Sequence, residues 1–113
     1  MNILEELNIV LAGLAPIETG VFSDVAPEEY IVITPLTDTF ELYGDNRPEY
    51  ETQEARLSLY SNGNYLKLKN SIINALLSAD FTVTARRYIG HENDTGYHHY
   101  AIDAAKVYRL ERI

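Results

Sequence analysis

Cysteine and tryptophan are both missing from this chain, and methionine occurs once. Without thiols there is no disulfide and no thiolate metal centre, so packing alone has to hold the fold, in keeping with a reducing compartment. Cations are scarce: 9 Lys and Arg stand against 17 Asp and Glu, a formal net charge of −8. Gripping a phosphate backbone draws its free energy from clustered Lys and Arg, so this balance argues against specific nucleic-acid binding. Long apolar runs are also lacking. None approaches the roughly 20 residues a membrane helix requires, and Met1-Asn2-Ile3-Leu4-Glu5-Glu6 lacks the basic start of a signal peptide. A protein made and kept in a cytoplasm, with no membrane partner, is the expectation. No G-x-S-x-G elbow, dinucleotide fingerprint or phosphate loop occurs. The chain is therefore read as a non-enzyme with no cofactor.

What is present matches an ordinary globular domain, 46% hydrophobic and 23% charged over 113 residues. That length suits a single domain spanning 1–113, able to bury roughly two thirds of its unfolded surface. Nine tyrosines are the unusual feature. Tyr suits places where one end of a ring is buried and the other meets polar groups, as at subunit interfaces.

The organising stretch is 65–79, whose apolar residues Tyr65, Leu66, Leu68, Ile72, Ile73, Ala75, Leu76, Leu77 and Ala79 form one broad stripe opposite Lys67, Asn70, Ser71, Asn74 and Ser78. Ser61-Asn62-Gly63-Asn64 before it offers oxygens for a first helical turn. Ile3, Leu4, Leu7, Val10, Leu11 and Leu14 predict an earlier helix, ended by Gly13 and Pro16. A short strand is expected within 17–23. Tyr30-Ile31-Val32-Ile33 is a β-prone run apolar on both faces, expected inside the sheet, with Pro35 ending its ladder or placing a bulge. Ala55, Leu57 and Leu59 alternate with Glu54, Arg56 and Ser58, as a strand with one wet face does. Phe81, Val83 and Ala85 alternate likewise, and 97–108 returns as the second strand of a hairpin. The fold class is α+β, an antiparallel or mixed sheet packed by two main helices in the order α-β-β-β-α-β-β. Its expected core is Leu7, Leu11, Val32, Leu57, Leu59, Ile72, Leu76 and Val83. The stretch 37–54, with Asp38, Glu41, Asp45, Glu49, Glu51 and Glu54 offset by Arg47 alone, reads as a projecting, mobile acidic hairpin or long loop.

Candidate chemistry is confined to a few places. His91, Glu92, Asn93 and Asp94, with His98 and His99, bring imidazoles and carboxylates to a hairpin that could converge on a divalent metal. His98 and His99 are adjacent, however, and point to opposite faces of a strand, so no metal site is assigned. Asp103, in the apolar run Ala101-Ile102-Asp103-Ala104, either carries a raised pKa for acid–base work or pairs with Arg86 or Arg87, the pairing being expected of a buried charge. Lys67 and Lys69 oppose the dipole of the helix they open. They mark a solvated edge or an interface.

The order of the N-terminal helix, Ala26-Pro27-Glu28-Glu29-Tyr30-Ile31-Val32-Ile33, Ala55-Arg56-Leu57-Ser58-Leu59-Tyr60-Ser61, the helix from Tyr65 and the hairpin from Tyr88-Ile89-Gly90-His91-Glu92 to Gly96-Tyr97-His98-His99-Tyr100-Ala101-Ile102 resembles small tailed-bacteriophage and prophage proteins, of the tail terminator, tail completion or head–tail joining kind. The resemblance implies a minor structural protein that self-assembles into a ring, commonly a hexamer, capping the tail tube protein and meeting the head connector. It implies no enzyme activity, and a location in the host cytoplasm during assembly and then in the virion. Ring contacts would set the acidic stretch with Glu41, Asp45, Arg47 and Glu49 against Arg56, Lys67, Lys69, Arg86 and Arg87 of the next subunit. The rival reading is a small metal-dependent enzyme or ligand-binding domain using the hairpin from His91 to His99.

Overall fold

In the computed structural model, which describes residues 2–18, 27–40 and 49–110, two helices pack on one side of a twisted sheet. The elements are α1 (Ile3–Val10), β1 (Ile17–Glu18), β2 (Glu29–Phe40), β3 (Tyr50–Ser61), α2 (Tyr65–Ser78), β4 (Thr82–His91) and β5 (His98–Arg109), in the strand order β1-β2-β3-β5-β4. Four long strands are mutually antiparallel, and the two-residue β1 adds in parallel to β2 at Ile31 and Val32. This is the expected α+β class and element order. No helix among the described residues is long and apolar enough to cross a membrane.

Each helix is bounded by the residues the sequence offers for it. Asn2 accepts a hydrogen bond from the Glu5 N–H through its side chain, and Glu5 and Glu6 suit the positive end of the α1 dipole. Asn64 does the same for Lys67 at the start of α2. The exit of α2 is a Schellman-type cap: Phe81 N–H donates to the Leu76 carbonyl and Asp80 N–H to the Leu77 carbonyl. Asp80 holds the left-handed position at φ 65°, where glycine is the preferred residue. Asp80→Gly is therefore expected to raise the unfolding free energy by about 0.5–1 kcal/mol, read from a chemical denaturation curve.

The core lies between helices and sheet. Leu68, Ile72 and Leu76 descend from α2, Ile3 and Leu7 from α1, onto Ile31, Ile33, Ala55, Leu57, Leu59, Ile102 and Ala104. Six of the eight expected core residues are in this cluster. Val83 packs only at its rim, and Val32 turns to the opposite sheet face because Ile31 and Ile33, one step away, take the helix side. The buried stripe of α2 is also narrower than its composition suggests, since Leu66 and Leu77 are 49% and 56% exposed.

Two other expectations are made more definite and one is corrected. Of the two readings of 37–54, the hairpin is the one the structure supports: β2 runs to Phe40 and β3 begins at Tyr50, paired antiparallel through Asp38 with Gln53 and Phe40 with Glu51, while 41–48 lies outside the described residues. Thr and acidic residues keep the end of β2 exposed, whereas on β3 Gln53 is buried and accepts the Ile3 N–H at 2.8 Å, a period-2 signal that density of charge obscures. Pro35 does accompany a bulge, at Leu36. The run 30–33 lies inside the sheet as expected, with β1 paired at Ile31 and Val32 on one side and β3 on the other, while from Ile33 onward the outer side of β2 has no strand neighbour among the described residues. The alternation read through Phe81, Val83 and Ala85 breaks at Thr84, a bulge that puts Val83 on the helix side and Ala85 opposite Asp103 on the other.

A polar knot ties α1 to the sheet end. Lys106 Nζ donates to Glu6 Oε2 at 2.5 Å and to the Ala79 carbonyl at 2.7 Å, while the Tyr108 hydroxyl donates to Glu6 Oε1 at 2.9 Å. Burial, then the hydrogen bond to Glu6, push the Tyr108 phenol well above its ordinary 10.0. From pH 10 upward the unfolded chain has released a proton that the folded chain still holds, so stability falls as pH rises through that window. Tyr108→Phe is expected to flatten this alkaline limb in a melting-temperature profile from pH 8 to 11.

Candidate functional site

Both helices lie on one side of the sheet and, among the described residues, no element covers the other side, where the register builds rows of side chains across four strands. The first row is Tyr30, Tyr60, His99 and Gly90, each opposite the next. Tyr30 stacks on Tyr60 at 4.7 Å between centroids and 14° between planes, and Tyr60 on His99 at 4.3 Å and 20°. Tyr97 closes the Tyr30 end edge-on at 5.6 Å and donates its hydroxyl to the Pro27 carbonyl. The second row is Val32, Ser58, Ala101 and Arg87, and the third is Thr34, Arg56, Asp103 and Ala85.

Asp103 is paired as expected of a buried charge, but with a different cation. Arg56 on the central strand β3 makes a two-pronged contact, Nε to Oδ1 at 2.8 Å and Nη2 to Oδ2 at 3.0 Å. Arg87 stands opposite Ala101 and Arg86 opposite Ile102, whereas Arg56 is the direct cross-strand partner of Asp103. The carboxylate hydrogen bonds, ahead of simple charge attraction, raise the Arg56 pKa. With both Asp103 oxygens engaged, an acid–base role has no support here. Arg56, Arg86, Arg87, Ala85, Ala101 and Asp103 line a cleft of about 330 Å³ on this open face.

His99 is the titratable member of the aromatic row. Burial lowers its pKa, Glu92 opposing and Arg56 adding to the effect, and its Nε2 is buried without a hydrogen-bond partner. Burial also raises the Tyr30 and Tyr60 phenols. Below its ordinary 6.5 the unfolded chain takes up a proton that folded His99 resists, so stability is lost as pH falls. His99→Phe, which keeps the stacked ring, is expected to flatten the pH 4–6.5 limb of the stability profile.

The other imidazoles lie across the sheet. His98 faces the helix layer, 4.6 Å from His91 and 4.9 Å from Tyr65 between ring centroids, with Nδ1 2.9 Å from the Tyr88 hydroxyl. The division of His98 and His99 between two faces follows the expected strand geometry. Among the described residues no three His, Asp or Glu side chains gather as a metal would require.

Of the other expected interface residues, Glu41, Asp45 and Arg47 lie outside the described residues. Glu49 is exposed just before β3, its carbonyl accepting from Leu110 N–H at 2.8 Å. The cations are not one patch. Lys67 is exposed on α2, and Lys69 places its ammonium 5.4 Å from the Tyr100 ring centre on the helix side. Arg56 and Arg87 belong to the open face, and Arg86 and Arg87 to the outermost strand β4. Sequence reasoning missed the row Tyr30, Tyr60, His99 and Gly90, since residues so far apart meet only once strand order and register are known.

The described residues form a two-layer α+β fold in which no described element covers the second sheet face, the outer side of β4 or the outer side of β2 beyond Val32. Comparison with protein-family models and with curated proteins finds no match.

Proposed function

We propose that this chain is a structural subunit of a tailed bacteriophage or prophage, placed at the tail end or head–tail junction, which acts by assembling into a ring. The observation that supports this most is the pair of open sheet edges. Among the described residues β4 has no neighbour on its outer side, and β2 has none beyond Val32. The two edges run antiparallel to each other. A second subunit in the same orientation can therefore set its β2 against β4 in an ordinary antiparallel ladder, with all helices on one side. Repetition of such a head-to-tail contact closes a ring.

Chemistry at the two edges is complementary. β4 carries Arg86, Arg87 and His91 and no acid, with Tyr88 and Ile89 exposed beside them. The free end of β2 and its neighbour β3 carry Asp38, Glu51 and Glu54, with Leu36 and Phe40 exposed. Exposed Lys67 and, beside it, Lys69 over the Tyr100 ring sit on the helix layer, where they could meet tail tube or connector proteins above the sheet.

Light scattering of the purified chain, alone and with the tail tube protein, tests assembly; reversing Arg86 and Arg87 to Glu should lower the associated mass, as should added salt. The phage role itself is tested by deleting the gene in the phage or prophage and imaging particles by electron microscopy. Tails of normal length joined normally to heads would refute it.

A further inference from the structure

The row of rings on the open face is one member short. Tyr30, Tyr60 and His99 occupy three adjacent strands at stacking distance, and the fourth position, on β4, is Gly90. An added Cβ at Gly90 would meet nothing within 4 Å outside its chain neighbours, and its φ is not positive, so backbone conformation does not demand glycine. The side of His99 away from Tyr60 thus faces a position without a side chain, one strand spacing of roughly 4.8 Å away. Beside it Ile89 is a bulged residue, 45% exposed.

The next rows along the same face line a cleft whose walls do not include His99 or Gly90. Ala101 and Ala85 give the cleft of about 330 Å³ a low floor, and Arg87 stands at its wall. Two strand residues separate rows by roughly 7 Å. Among the described residues Arg87 has no ion pair, whereas Arg56 is held by both oxygens of Asp103. Of the carboxylates near the cleft, Asp103 is neutralised by Arg56, while Glu54 and Glu92 keep their charge and accept from the Thr84 and Thr95 hydroxyls, so Arg87 is the cation left to meet an anion. An exposed guanidinium without an ion pair, small side chains and a half-buried ring opposite a glycine therefore stand on adjacent rows of one face.

We propose that this face binds a nucleoside monophosphate, its base stacked on His99 over Gly90 and its phosphate paired with Arg87. Stacking on an imidazole accepts any planar base, and a planar guanidinium matches phosphate oxygens two at a time. A single nucleotide asks for one such contact, so the acidic balance that argues against a long phosphate backbone does not oppose it. The inference does not depend on ring assembly.

Titration of the full chain with adenosine monophosphate, followed by amide chemical shifts, tests it. Saturable shifts are expected around Arg87, Gly90 and His99, with adenosine and ribose 5-phosphate each binding about tenfold more weakly or worse, since each lacks one of the two contacts. Gly90→Phe should fill the slot with its own ring and abolish binding, while Arg87→Gln should weaken it about tenfold and leave adenosine binding unchanged. Unchanged core shifts at Ile102 and Leu57 would show that both variants fold. Absence of saturable shifts at millimolar nucleotide, shifts confined elsewhere, or undiminished binding in Gly90→Phe would overturn the proposal.

Discussion

Leu76→Ala is expected to lower the unfolding free energy by about 2–5 kcal/mol, the range for truncating a buried leucine. Leu76 is wholly inaccessible to solvent and stands in the cluster with Ile72, Leu57 and Ile102. Its carbonyl also accepts the capping hydrogen bonds of Ala79 and Phe81, so the backbone there is fixed and has little freedom to collapse into the cavity. The neighbouring substitution Leu77→Ala removes a side chain 56% exposed and is expected to change stability by less than about 1 kcal/mol. The contrast between two adjacent leucines is the measurement: equal denaturation midpoints would show that α2 is rotated from the position described.

Lys106→Met is expected to cost about 2–3 kcal/mol, below the 3–5 kcal/mol of a fully buried pair because the two side chains keep some access to water. Lys106 and Glu6 are 25% and 17% exposed. The substitution strips Glu6 of its cation, frees the Ala79 carbonyl at the end of α2, and removes the ammonium that lies 4.8 Å from the Phe81 ring centre. Glu6 would retain only the Tyr108 hydroxyl, an uncompensated charge at the foot of α1. The double variant Glu6→Gln, Lys106→Met should recover part of the loss, since a neutral amide needs no counter-charge. A double variant as unstable as the sum of the singles would show that the pair does not couple.

These two sites share a feature of this small domain: α1 and α2 do not reach the sheet independently. Lys106 reaches from β5 to the side chain of α1 and to the last carbonyls of α2, so one cation joins both helices to one strand. The open face has no such tie between layers. Its order comes from cross-strand contacts alone, the stacked rings and the Arg56 and Asp103 pair, which suits a surface that must stay accessible.

Local chemistry in the sequence was enough to set the α+β class, both helices, the turn residues that cap the second, the alternation that buries Leu57 and Leu59, and the separation of His98 from His99. Those features depend on periodicity and on neighbours within four residues, which any reading of the chain can see. Register and strand order were decided only in the tertiary structure. They set Arg56 rather than Arg86 or Arg87 against Asp103, turned Val32 away from the core, carried β2 and β3 into the acidic stretch, and aligned Tyr30, Tyr60, His99 and Gly90 across four strands. A two-residue repeat says which side of its own strand a residue takes, but not which residue of another strand stands beside it. A single bulge, as at Leu36, Thr84 or Ile89, changes that answer for every residue beyond it.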